Sequence, residues 1–137
     1  LHYGQILGEM NALDVVARHN IQALVLVIVM PFYSKPKTFK TPDPDGVGYL
    51  FLDARKKIHS KEVLLGCARP PGTHKRIVDA YAVMSGLDGI AFPADGAVNL
   101  AQQIGRTCYQ EHACCSLKLG RSTIGKSQII KISNDNL

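Results

Sequence analysis

At 137 residues, 46% hydrophobic and 20% charged, the chain has the make-up of one ordinary globular domain with a single core. No apolar run reaches the ~18–20 residues of a membrane-spanning helix, and no basic start, apolar stretch and small-residue cleavage site marks a signal peptide; the expected setting is cytoplasmic, without a membrane partner. The net charge of +5 is modest, with Lys35, Lys37 and Lys40 in one loop and Lys118, Arg121, Lys126 and Lys131 in the last twenty residues. No aromatic interleaving accompanies these clusters, so they read as solvated surface and nucleic acid is not an expected partner.

The chain opens on Leu1, in the middle of an element, and is expected to be a piece of something longer. From Gly8 to Asn20, Met10, Leu13 and Ala17 recur at helical spacing, with Glu9 at the positive end of the dipole. Residues Ala23 to Val29 run apolar on both faces, which predicts a central strand of a parallel sheet. A Pro- and Lys-rich loop from Pro31 to Pro44 follows, then a helix from Val47 to Ile58, its start weakened by Gly46 and Gly48. A strand from Glu62 to Gly66 leads into the turn Cys67-Ala68-Arg69-Pro70-Pro71-Gly72. Thr73 can cap the next helix, whose inner stripe reads as Ile77, Tyr81 (or Ala80) and Met84, and Gly86 ends it. Asp88 to Phe92 reads as a strand stopped by Pro93, Ala97 to Ile104 as a helix, and Arg106 to Glu111 as a last strand. Beyond Leu117 the pattern fades, although Ser127 to Ile132 has the character of a strand.

Strand and helix alternate four times with short connections. That predicts βα units on a parallel sheet, with ligand chemistry beyond the C-terminal strand ends, near Leu1–Gly8, Met30–Tyr33, Gly66–Pro70 and Phe92–Asp95.

Gly4-Gln5-Ile6-Leu7-Gly8-Glu9 is a glycine-spaced turn opening a helix. It suits either a tight βα connection or a loop whose backbone approaches a ligand. Cys67 and Arg69 place a thiol and a guanidinium together at a strand end, where a thiolate can bind a soft metal or iron–sulfur cluster and an arginine can pair with an anion. The plain alternative is a small buried cysteine beside a surface arginine. Cys108, His112, Cys114 and Cys115 are all metal-capable, but Cys-x3-His-x-Cys-Cys is no recognised zinc pattern. Of the histidines, only His2 sits where function is expected. Asp79 and Asp88 read as isolated carboxylates. No acid–base pair, Ser-His-Asp set, phosphate loop or dinucleotide fingerprint is visible, so no catalytic residue is assigned.

Taken in order, Leu1-His2-Tyr3-Gly4-Gln5-Ile6-Leu7-Gly8-Glu9, Val27-Ile28-Val29-Met30-Pro31, Leu64-Leu65-Gly66-Cys67-Ala68-Arg69-Pro70, Gly86-Leu87-Asp88-Gly89-Ile90-Ala91-Phe92-Pro93 and Cys114-Cys115-Ser116-Leu117 resemble radical S-adenosylmethionine enzymes. Within them the chain is similar to the biotin-synthase-like proteins, including archaeal-type lipoyl synthases. The resemblance spans Leu1 to about Leu117 and implies the trailing half of a (β/α) barrel, a partial TIM-type barrel of about four βα units. Residues 1–117 would form that half-barrel, and 118–137 a polar, basic, loosely held tail. The missing N-terminal half of the barrel would be a partner.

By the same resemblance Gly4, Ile6 and Gly8 match a motif that contacts the adenine end of S-adenosylmethionine. Glu9 matches it in part, since the family's glutamate follows two residues later. Arg69 falls beside the family's auxiliary cluster, and Cys67, Cys114 and Cys115 become candidate ligands of an auxiliary iron–sulfur cluster. The Cys-x3-Cys-x2-Cys loop that holds the catalytic 4Fe–4S cluster is not in these residues. The implied parent would form a 5′-deoxyadenosyl radical and insert sulfur at an unactivated carbon of a small-molecule or carrier-protein-bound acyl substrate, and this chain would be inactive alone. Two readings stand beside it: another (β/α) barrel enzyme using Cys67 and Arg69 on an anionic substrate, and a non-catalytic metal-binding module built on Cys108 to Cys115.

Overall fold

The structure, a computed structural model, describes residues 4–30, 40–111 and 129–133. The elements in order are α1 (Glu9–Ala17), β1 (Ala23–Leu26), α2 (Pro44–Lys57), β2 (Glu62–Leu65), α3 (Thr73–Met84), β3 (Gly89–Ala91), α4 (Ala97–Gln103), β4 (Thr107–Glu111) and β5 (Ile129–Ser133). The alternation expected from the sequence is therefore present, as an α/β fold of four βα units. None of the described helices is long and apolar enough to cross a membrane.

The sheet runs β1-β2-β3-β5-β4 and does not close into a barrel. β1, β2 and β3 are parallel, with Ala23 opposite Glu62 and Leu65 opposite Ile90. β5 is antiparallel to both β3 and β4, so β4 runs in the same direction as β3 without touching it. Two points bear on the expectations. The strand character read from Ser127 to Ile132, inside the stretch otherwise given as a loosely held tail, appears as the sheet strand 129–133, and Ile132 is buried in the core. β1, expected as a central strand, lies at the edge of the sheet with all four residues half-buried. Its continuous apolar run does not mark the centre of the sheet, because an edge strand packed by helices also buries much of its length.

Side chains alternate across each strand. Leu24, Leu26, Val63, Leu65, Ile90, Ile130 and Ile132 share one face, and the core cluster joins them to Leu13 of α1, Phe51 of α2, Val78 and Val83 of α3, and Ala101 of α4. All four helices thus pack on the same side of the sheet.

Local chemistry explains the boundaries. α2 starts at Pro44, earlier than its glycines suggested. Proline suits the first helical position, and the Asp43 carboxylate accepts from the Gly46 amide at 3.1 Å. In α3 the inner face is Val78, Asp79, Ala82 and Val83. The expected stripe is displaced by one residue, and Ile77 and Met84 are exposed. Two apolar stripes fit the same helical period. The one that carries Asp79 turns inward because Asp79 has a buried partner.

α2 and α3 approach closely at Gly48, where an added Cβ would lie 2.8 Å from Tyr81 Cδ2. Above that contact the Tyr81 hydroxyl donates to Asp45 Oδ1 at 2.6 Å, and this bond, aided by burial, raises the phenol's pKa above its ordinary value. A raised folded-state pKa means the bond's stabilisation is whole below the unfolded value of about 10 and is lost as pH rises through the folded value. Tyr81→Phe should therefore flatten the alkaline limb of the stability–pH curve measured by urea denaturation. Identical limbs in the two proteins would show that the bond is not formed in solution.

Candidate functional site

At the C-terminal end of β2 the chain continues as Gly66-Cys67-Ala68-Arg69, still laddered to the strand before it. The Gly66 amide donates to the Leu26 carbonyl at 2.7 Å, and the Ile28 amide to the Ala68 carbonyl at 2.8 Å. A Cβ at position 66 would lie 2.7 Å from Val27 Cγ1 and 3.1 Å from Val25 Cγ1. Glycine is required because β1 leans over this point.

Arg69 then folds back into the protein. Its Nε and Nη2 donate to the two oxygens of Asp79 at 2.7 and 3.0 Å. Nη1 donates to the Gly66 carbonyl at 2.6 Å, and Nη2 also to the Ala91 and Phe92 carbonyls at 2.7 and 3.0 Å. Both charged side chains are fully buried. Asp79 accepts in addition from the Ala94 amide at 2.7 Å. One bidentate pair therefore ties together the loop after β2, the loop after β3 and α3. Such a pair fixes geometry well, because a planar guanidinium and a carboxylate fit in one orientation.

The consequence is a defined rim. Gly66 and Ala91 present their carbonyls to the same guanidinium, so the next residues, Cys67 and Phe92, leave the sheet side by side. Phe92 has a φ of +48°, in the left-handed region a phenylalanine rarely adopts. Its carbonyl is held there by Arg69, and its side chain remains 44% exposed. Strain of this kind persists only where the surroundings over-determine it, and it clusters at functional sites. Cys67 is a free, exposed thiol.

The Gly4–Glu9 segment divides by role. Gly4 has a φ of +85°, and an added Cβ would lie 2.7 Å from the Lys40 carbonyl oxygen, so its empty space is filled by the chain itself. Ile6 packs against the core. Gly8 stands before α1 with open space around it. Glu9 Oε2 accepts from the Leu7 and Gly8 amides at 2.9 and 3.0 Å, which holds the turn just before the helix. Glu9, Val27, Ile28 and Phe51 line one apolar cleft of about 150 Å³ that links the start of α1 to the end of β1.

The sequence alternatives for the Cys67 turn are thus reversed. The arginine is the buried residue and the cysteine the surface one. Arg69 is fully buried, and its charge is already paired with Asp79. Cys108 lies in β4 on the helix-facing side and packs against the core, and burial pushes its thiol pKa up against a weaker opposite pull from Arg106. His2, His112, Cys114 and Cys115 lie outside the described residues. Among the described residues no three His, Cys, Asp or Glu side chains converge as a metal site.

Sequence reasoning missed Asp79 and Phe92. The signal for Asp79 was present: a carboxylate inside the Val78–Ala82–Val83 stripe needs a cation, and Arg69 lies ten residues upstream, in the loop before the helix. Asp88 is also paired, with Arg55, and accepts from the Val63 amide at 2.8 Å.

Fold and rim together define an α/β protein with a three-stranded parallel sheet and a polar clamp at its strand ends. Comparison with protein-family models, curated proteins and solved structures gave no match for the chain.

Proposed function

We propose that this chain is the C-terminal part of a radical S-adenosylmethionine enzyme of the sulfur-inserting, biotin- and lipoyl-synthase-like kind, acting in the cytoplasm. It would form one wall of a barrel whose cluster-binding loop lies elsewhere in the parent protein. The observation that carries this reading is the rim: Cys67 and Phe92 set side by side at the C-terminal ends of parallel strands by the Arg69–Asp79 clamp. The layering supports it too. A doubly wound sheet reverses its strand order and places helices on both faces, whereas β1, β2 and β3 follow in order with every helix on one side, as in a barrel wall.

The described residues fit the implied cofactors in part. Gly8 leaves room for close backbone approach by S-adenosylmethionine, while Gly4 serves the fold. The exposed Cys67 thiol suits one ligand of an auxiliary cluster, with Arg69 as a positioning residue beneath it. When bound, the catalytic 4Fe–4S cluster and S-adenosylmethionine would supply the radical that activates a small-molecule or carrier-bound acyl substrate. The competing anionic-substrate reading is weakened because Arg69 is neutralised by Asp79.

The test uses the parent protein, prepared anaerobically, with iron, sulfide and 5′-deoxyadenosine formation measured. Partners one shell out from a metal typically change affinity or activity about 10–100-fold, so losing a ligand should cost at least that. Cys67→Ala should then lower turnover by about tenfold or more and remove the auxiliary cluster's share of the iron and sulfide, leaving that of the catalytic cluster, and Cys108→Ala should change both far less. Equal losses, or none from Cys67→Ala, remove the ligand assignment. Zinc without sulfide would favour a metal-binding module instead.

A further inference from the structure

Between α2 and α3, on the side turned away from the sheet, lies a groove of about 360 Å³, the size of a small-molecule site. α2 supplies Asp45, Gly48, Tyr49 and Leu52, which share one face because they lie three and four residues apart, and α3 supplies Tyr81 and Met84. Gly48 is the floor: lacking a Cβ, it lets the Tyr81 ring lie against α2.

The two ends of the groove differ in chemistry. At the start of α2, Tyr81 donates to Asp45 Oδ1 at 2.6 Å, and Tyr49, 70% exposed, stands one turn along α2 from that carboxylate. Further along, Leu52 and Met84 are apolar and exposed. Among the described residues Asp45 is the only charged one lining the groove, and no cation pairs with its carboxylate. The raised pKa of the Tyr81 phenol comes first from its bond to Asp45 and then from burial, and the charges of Asp45 and Asp43 add to it, so the field at this end is negative. An anion is repelled there. A small inorganic cation, held by its own water, gains nothing from Leu52 and Met84. A cation with an apolar body uses every part: the carboxylate takes its charge, the tyrosine faces attract it through their quadrupoles, and the apolar end takes its carbon chain.

We infer that this groove binds a small alkylammonium cation, its head among Asp45, Tyr49 and Tyr81 and its chain along Leu52 and Met84. The site is separate from the strand-end rim. It stays open if the sheet closes into a barrel, because helices form the outside of such a barrel.

Nuclear magnetic resonance titration of the full chain with choline tests this, against dimethylbutanol, its uncharged carbon isostere, and against potassium chloride at equal ionic strength. Saturable shifts of the Tyr49, Tyr81 and Met84 signals are expected with choline in the millimolar range and with neither control. Hexyltrimethylammonium should bind about threefold tighter or more, since each buried CH₂ is worth about that factor. Tyr49→Leu keeps an exposed apolar side chain but removes the ring, and Asp45→Asn keeps an acceptor for Tyr81 but removes the charge. Each should raise the choline Kd about threefold or more with an unchanged circular dichroism spectrum. No saturable shift with choline, or equal binding of the uncharged isostere, overturns the inference without recourse to any variant. A Kd indifferent to both substitutions overturns the placement of the head, and hexyltrimethylammonium no tighter than choline overturns that of the chain.

Discussion

Asp79→Ala is expected to lower the unfolding free energy by about 3–5 kcal/mol, the range found when one partner of a buried ion pair is removed. Arg69 would keep its charge in a fully buried position with no counter-ion, and the Ala94 amide would lose its acceptor. Because whole domains are stable by only about 5–15 kcal/mol, this single change would bring the protein close to its limit. Two controls make the figure specific. Asp88→Ala breaks a pair whose side chains are 20% and 30% exposed, so water can replace the lost partner and the loss should be smaller. Asp14→Ala breaks the exposed pair with Lys57 and should cost about 0–1 kcal/mol. Arg69→Met combined with Asp79→Leu removes both charges but leaves the Gly66, Ala91 and Phe92 carbonyls without their donor, so it should recover part of the loss. Urea denaturation followed by circular dichroism gives all four values. An Asp79→Ala loss no larger than that of Asp14→Ala would mean that the clamp is open to water.

Gly4→Ala should be the second large effect. A non-glycine residue in the left-handed region costs about 1–2 kcal/mol, and forcing an extra methyl into a packed site costs about 1–3 kcal/mol, for about 2–5 kcal/mol in all. The obstacle is backbone, the Lys40 carbonyl 2.7 Å away, which cannot swing aside as a side-chain end could. Gly8→Ala meets nothing within 4 Å and has a negative φ of −120°, so its stability should change little. The pair of glycines separates two meanings of one motif. If the segment also serves S-adenosylmethionine, Gly8→Ala should weaken S-adenosylmethionine binding in the parent enzyme while leaving unfolding untouched. Calorimetry on the parent and denaturation of both variants measure this, and equal destabilisation by the two alanines would contradict the division.

Much of the fold was legible because local rules and burial agreed. Asp43 and Pro44 announce α2, Gly86 closes the stretch after α3 with a φ of +82°, and short βα spacing implies a parallel sheet. Legibility failed where two local readings were equally good and a distant residue decided between them. The α3 stripe turns on Arg69, ten residues upstream. The exchange of roles between Cys67 and Arg69 depends on Asp79 and on carbonyls of the next strand, which no local pattern exposes. Phe92 gave no warning, since its unusual φ is imposed from outside by a hydrogen bond to its carbonyl. β5 showed in the sequence only as the strand character of Ser127 to Ile132 within a polar, basic stretch, and its place between β3 and β4 is a property of pairing and not of composition.

That placement has a kinetic side. During synthesis β4 emerges before β5, yet among the described residues its partner in the sheet is β5. Among the described residues β4 has a backbone ladder to join only once residues 129–133 have paired with β3, so two of the five strands form after the parallel part. Bringing the distant β5 segment back comes first and its entropy is regained only when both antiparallel ladders zip, so this edge is expected to be the slow step of assembly. Arg106 shows how the step is secured: its buried guanidinium joins the end of α3 to the Ile132 carbonyl, so the strand that arrives last is fastened to the layer that folded first.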